Sequence, residues 1–333
     1  MKLSKIALKY IYTFLFTTAV LFIFIRSNSN IYIEKSFSLN YNYSIKSLGL
    51  KYPVPIQYFY YLKDIITGNL GYVNNPYYNG SFISAIHVFL PNTLFIIITS
   101  FIVSLILGYY IGIKISMSGF KFNISMILMP FFYVLTGLSI LLIFGSILGV
   151  LPVKGTVSPL AFGPKNHWVI PYNNNIIVTY PTGSIIIDSI IHLSGPVFLS
   201  SILYFIMPFV TIVIPTMVYT ASYVSMAVYN EIKRDYGMSL IIYSNSYKDM
   251  ISKLRNNIRS KIISGIKRSF LLVVIGSIIS GIIFSYQGMW SLLFYSSRYN
   301  YNAFSVSSSV LIFFIIIIIF YFIVDAYGGV YEI

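Results

Sequence analysis

The chain has 333 residues, of which 57% are hydrophobic, 18% aromatic and only 9% charged, and its mean hydropathy is +0.80. Such a composition excludes a soluble globular domain of this length, because the outside of that fold would still have to meet water. Cysteine is absent, so disulfides, thiolate catalysis and Cys-ligated metals are excluded as well.

A helix that crosses a hydrocarbon core of ~30 Å needs roughly 20 mostly apolar residues. Six runs meet that need, and none shows the polar–apolar alternation of a barrel strand. The first, Ile6–Ile25, follows Lys2, Lys5 and Lys9. No small-x-small cleavage site lies in the "IRSNSNIYIEK" behind it, so it reads as a retained anchor. Residues 27–82 are rich in Tyr, Asn and Ser and long enough for a small ordered cap, with possible glycosylation sequons at Asn42 and Asn79.

The second and third runs are Ile83–Ile113 and Ile124–Val150. Residues 151–196 carry Pro152, Gly155, Gly163, Pro164, Pro171, Pro181, Gly183 and Pro196, which read as turns rather than a helix. Val197–Val228 is the fourth run. It and the second are long enough to require tilting, bending or protrusion, with Pro91, Pro208 and Pro215 as the places to bend.

Residues 229–265 mix charge with apolar positions. Met250, Ile251, Leu254 and Ile258 share one helix face, and breaks are expected at Gly237 and at Ser244-Asn245-Ser246. The pattern predicts two short helices outside the bilayer with apolar faces in need of a partner. Ile262–Tyr286 and Phe304–Val324 complete the six, and Asp325 falls at the inner end of the last, as a snorkelling or capping residue.

The excess of 22 Lys and Arg over 8 Asp and Glu is not spread evenly. Lys2, Lys5, Lys9, Lys114, Lys121, Lys233, Arg234, Lys248, Lys253, Arg255, Arg259, Lys261, Lys267 and Arg268 all fall on short stretches that alternate spans place on one side. The positive-inside rule makes that side the cytoplasm, together with both termini. The six cations of "KLRNNIRSKIISGIKR" (253–268) therefore read as an inner anchor facing anionic lipid headgroups, not as a nucleic-acid site, with contact to a partner protein as the other reading for Lys253 and Arg255.

Catalytic patterns find little support. His87, His167 and His192 are far apart, and neither H-E-x-x-H nor G-x-S-x-G occurs. No Gly-Lys dipeptide is present, hence no Walker A loop, so any ATP would be bound by another subunit. Carboxylates are almost missing from the spans, which argues against a proton- or sodium-coupled carrier.

Several short motifs then stand in order along the chain. "YPVPIQYFYYLKDIITGNLG" (52–71) ends on Gly68, Leu70 and Gly71. "LPNTL" (90–94), with Pro91 and Thr93, precedes "GYYIGI" (108–113), with Gly108 and Gly112. "GVLPVKG" (149–155) holds Pro152 and Gly155, "PFVTIVIP" (208–215) holds Pro208 and Pro215, and "IFSYQGMW" (283–290) holds Phe284 and Gly288. In this order they resemble the inner-membrane permeases of ATP-binding cassette importers of the dipeptide/oligopeptide type, in the first of the two permease subunits.

The resemblance implies an all-α, six-span, type I importer permease fold. It comprises a transmembrane helix at 1–26, an extracytoplasmic segment at 27–82 and a permease core at 83–333. "RDYGMSLIIYSNSY" (234–247) then matches the helix with which the family docks into its ATPase, within a cytoplasmic coupling loop at 229–265. Asp235, Tyr236, Gly237, Ser239, Leu240, Ile242, Ser244 and Tyr247 are the coupling residues it implies.

The implied partners are a second, homologous permease, two ATP-binding cassette ATPases, an extracytoplasmic solute-binding protein and membrane lipid. No cofactor is expected, the subunit itself is not an enzyme, and the location implied is the plasma membrane. The cargo implied is a di- or oligopeptide, or an oligosaccharide. The chain departs from the family at Asn69, Ser222, Ser225, Leu240, Ile242, Tyr243-Ser244, Gly281 and the terminal "GGVYEI". A secondary carrier or channel and a degenerate permease serving as a scaffold are the other classes that the residues allow.

Overall fold

A computed structural model describes residues 2–27, 52–75, 78–117, 125–162, 169–172, 175–178, 182–244, 247–298 and 303–330. Six helical stretches are long and apolar enough to cross a membrane: Ser4–Ser27, Phe82–Ser116, Met126–Ile147, Gly195–Ile232, Asn257–Phe284 and Ser305–Tyr327. Each falls on one of the six apolar runs. The protein is thus a helical, multi-pass membrane protein, the arrangement in which a chain satisfies its backbone polar groups inside lipid.

In chain order the helices are α1 (Lys2–Ser27), α2 (Val54–Thr67), α3 (Phe82–Met117), α4 (Met129–Ile140), α5 (Ile185–Ile191), α6 (Gly195–Ile232), α7 (Asp235–Tyr243), α8 (Tyr247–Phe284), α9 (Met289–Arg298) and α10 (Ala303–Val330). A 3-10 turn at Met126–Leu128 leads into α4, and a π-helical stretch at Leu141–Ile147 follows it. The strands β1 (Tyr72–Asn75) and β2 (Tyr78–Ser81) pair antiparallel, as do β3 (Val169–Tyr172) and β4 (Asn175–Val178). Both hairpins lie between spans and leave the class all-helical.

Helix α3 has 36 residues and runs through Pro91; α6 has 38 and runs through Pro208 and Pro215. At 1.5 Å per residue each is about 55 Å long, beyond the ~40–45 Å of a bilayer with its headgroups. Helices of that length must tilt or project, and neither is broken at any of the three prolines.

Two expectations fail. Residues 151–196 do not consist of turns alone, since they form a 3-10 turn at Pro159–Phe162, the β3–β4 hairpin and α5. A seven-residue helix and four-residue strands are shorter than the window over which apolar periodicity can be read. The second extramembrane helix expected around Met250 is not separate either. It is the first part of α8, a single 38-residue helix that continues into the fifth span. Its apolar face is already partnered, with Leu254 and Ile258 fully buried and Ile258 packed with Val224 and Val228 of α6.

The chain divides into two compact units of non-contiguous stretches: residues 1–94, 155–202 and 285–322, and residues 95–154, 203–284 and 323–333. In the first unit α2 lies along α1. Tyr58, Tyr61 and Ile65 pack on Phe22 and Ile25, and the Tyr58 and Thr18 hydroxyls are 2.9 Å apart. Burial, with Tyr58 alongside, pushes the Tyr61 phenol up in pKa.

Helix α2 ends on Gly68 at φ 78°, a left-handed cap that favours glycine, and Gly71 turns at φ 89° into the first hairpin. Thr93 ties α3 to the start of α9, donating to the Phe89 carbonyl at 2.9 Å and accepting from the Met289 N–H at 2.8 Å. Gly183, at φ 78°, lies against the His87 carbonyl and Pro91.

The second unit is held by small residues and hydroxyls, as helix packing in lipid requires. A Cβ on Gly108 would fall 2.8 Å from the Met217 carbonyl oxygen, and one on Gly112 would fall 2.7 Å from that of Ala221. The G-x-x-x-G of α3 is therefore a notch in which α6 rests backbone to backbone. Buried Tyr133 of α4 shares a hydrogen bond with Thr216 at 2.7 Å, and its ring covers Gly276 of α8. The Pro208 carbonyl accepts from Ser280 at 3.0 Å. Asp325, expected to snorkel or cap, forms an ion pair with Lys267.

Candidate functional site

Of the residues singled out as a coupling element, all but Tyr247, which opens α8, lie on α7 and its C-cap, directly after the end of α6. Helix α6 carries Glu231 in its last turn, where a carboxylate meets the negative end of the helix dipole and needs compensation. The Glu231 side chain is 1% exposed. Three groups supply that compensation. Lys261 of α8 forms an ion pair with one oxygen, Tyr236 donates its hydroxyl to the other, and the Arg234 guanidinium stands 3.4 Å from that second oxygen. Charge-assisted hydrogen bonds to a buried carboxylate are among the stronger local ties in a protein.

Between α6 and α7 the chain turns at Lys233-Arg234. Arg234 is in an extended conformation (φ −75°, ψ 153°) at the N-cap, and Asp235 opens α7 with the acid that a helix N-terminus favours. Gly237 is buried against the end of α6. A Cβ there would lie 2.7 Å from the Ile232 carbonyl oxygen and nearer still to that of Glu231. Glycine lets α7 sit directly on the exposed carbonyl end of α6, and the Tyr236–Glu231–Lys261 network locks it there.

The opposite face of α7 points away from these ties. Met238 is 58% exposed, Ile242 80% and Tyr243 77%, while Leu240 is half-buried. Asp235 and Ser239 are exposed, the latter donating to the Tyr236 carbonyl at 2.8 Å. Ser244 follows the helix in an extended conformation. The side chain of Tyr247 lies outside the described residues. The structure thus brings Asp235, Tyr236, Gly237, Ser239, Leu240, Ile242 and Ser244 onto one nine-residue helix and its cap. Tyr236 and Gly237 attach it to the body, and Met238, Ile242 and Tyr243 form an outward apolar edge.

Reading the sequence missed Glu231 and Lys261. They lie 30 positions apart and join no motif. The remaining motif residues sit elsewhere, as packing and turn positions. Pro152 is half-buried, Gly155 turns at φ 113°, Phe284 is buried at the end of α8, and a Cβ on Gly288 would overlap the Trp290 ring.

Ser222 and Ser225 are buried on α6. Asn79 is exposed on β2, whereas Asn42 and His167 lie outside the described residues. Among the described residues no group of three or more His, Asp or Glu is arranged to hold a metal.

No protein-family model matches the chain, and no curated protein matches it at a significant level. The class that the architecture defines is a polytopic helical membrane protein whose fourth and fifth spans are joined by a short, tightly anchored helix.

Proposed function

We infer that this is the permease subunit of an ATP-driven importer. With a homologous permease it encloses the path of a di- or oligopeptide, or of an oligosaccharide, and separate ATPase subunits drive it by alternating access. In this reading the ends of α6 and α8 joined by α7, like both chain termini, face the cytoplasm, and the membrane is the plasma membrane. A solute-binding protein delivers cargo outside.

The observation that supports it best is α7. A short helix with Met238, Ile242 and Tyr243 outward is suited to a groove on another protein. Its anchoring through Glu231 suits it to pass a push from that groove directly to α6 and α8. Coupling of this kind needs different contacts with the ATPase pair in its open and closed states, and a rigid lever converts that difference into helix movement. The resemblance of "RDYGMSLIIYSNSY" to the family's docking helix points the same way.

The test is the double substitution Met238→Asp and Ile242→Asp. Both side chains are exposed, so the helix should stay folded and the spans inserted. Two central apolar anchors of an interface are worth about 2 kcal/mol or more, so ATPase copurification should fall about 30-fold or further. Unchanged copurification and unchanged uptake would refute the docking role.

A further inference from the structure

The second unit contains a cavity of about 1060 Å³ whose walls are almost wholly apolar. It lies between the last third of α3, α6 around Thr220–Val224, and the first half of α8, all within that unit. At this size it matches the upper end of the ~300–1,000 Å³ typical of ligand sites.

Its α3 wall runs from Leu105 to Lys114, about 14 Å along the helix. That wall changes character along its length. It begins with Leu105 and with Ile106, which is 64% exposed, continues through Tyr109 and Tyr110, and ends on the exposed Lys114. Tyrosines are the side chains that settle at headgroup depth, with apolar residues on one side and cations on the other.

The geometry points to a binding site for one anionic phospholipid, its headgroup at Lys114 and an acyl chain along Leu105 and Ile106. Charge selects this occupant over a neutral one. The Lys114 ammonium stands 4.5 Å from the Tyr110 ring centroid, and no carboxylate among the described residues pairs with it. Within this unit Glu231 pairs with Lys261, Asp325 with Lys267, and Asp249 with Lys253.

The exposed Arg268 guanidinium lies 5.7 Å from the ring of Tyr223, which lines the cavity. That ring rests on Gly265, where any Cβ would overlap it, so glycine keeps the tyrosine folded back and the cavity open. The inference depends only on the membrane-spanning architecture and is independent of the importer reading.

The experiment is native mass spectrometry of the purified full chain in detergent, titrated with dioleoyl phosphatidylglycerol or dioleoyl phosphatidylcholine. Phosphatidylglycerol should bind several-fold more tightly. Lys114→Gln should weaken it about fivefold while leaving phosphatidylcholine unchanged, the effect of one cation at a headgroup. Ile266→Trp, which fills the cavity from α8, should weaken both lipids.

Equal binding of the two lipids by the wild type, or an undiminished preference in Lys114→Gln, would overturn the proposal. A photo-crosslinker at Ile106 reads the occupant directly in native membranes. Lipid adducts support the site; adducts with another protein alone would assign the cavity to a partner helix instead.

Discussion

Replacing Lys261 with methionine should cost about 1–3 kcal/mol, because it takes a charge-assisted hydrogen bond from a carboxylate that its partners cover. Glu231 is 1% exposed, whereas Lys261 is 36% exposed and Arg234 60%. The two ends of the network are therefore unequal. Removing the acid leaves cations that can turn to water, so Glu231→Leu should cost clearly less.

Combining Glu231→Leu with Lys261→Met removes charge on both sides, and the double variant should recover much of what Lys261→Met loses. Thermal unfolding of the purified protein reads this cycle. Limited trypsin cleavage after Lys233 or Arg234 shows whether the damage is centred on α7. Additive losses, or equal losses for the two single variants, would mean that the network does not anchor the helix.

Gly237→Ala should also be destabilising, against the ordinary preference of a helix interior. Alanine is favoured over glycine there by roughly 1 kcal/mol, so propensity alone predicts a gain. The new methyl would instead overlap the Glu231 and Ile232 carbonyl oxygens, which are backbone atoms at a fixed helix end. Overpacking of this kind costs about 1–3 kcal/mol, and the helix can relieve it only by lifting away from α6.

Faster trypsin cleavage at the α6–α7 turn should follow and, on the importer reading, loss of ATPase copurification with it. A Gly237→Ala protein as protease-resistant and as well coupled as the wild type would show that the close approach is not needed.

How much of this was legible in the sequence depends on the length scale of each feature. The six spans are written in runs of about twenty apolar residues, and all six appear where those runs stand. The G-x-x-x-G of Gly108 and Gly112 was legible as a packing motif, though not the α6 carbonyls that it meets. Helix α5 and the two hairpins were not legible, because seven or four residues carry no periodicity.

The region after α7 was misread for a different reason. Met250, Leu254 and Ile258 do mark one helix face, but a sequence pattern cannot distinguish a short helix seeking a partner from the first turns of a long one that already has it. The anchor of the candidate site was invisible because Glu231 and Lys261 are joined only by the fold. The outward edge was half visible: Ile242 was named, Leu240 proved half-buried, and Met238 and Tyr243 took its place.

The chain contains no cysteine, which makes one measurement direct. Ile242→Cys places a single thiol on an apolar side chain of α7 that is 80% exposed, where it can carry a photo-crosslinker in native membranes. Mass spectrometry of the adducts should identify an ATP-binding subunit, with a yield that changes when non-hydrolysable ATP analogue is added. Adducts confined to lipid or to this chain, with no nucleotide-binding protein among them, would contradict the coupling role of α7 and the importer reading with it.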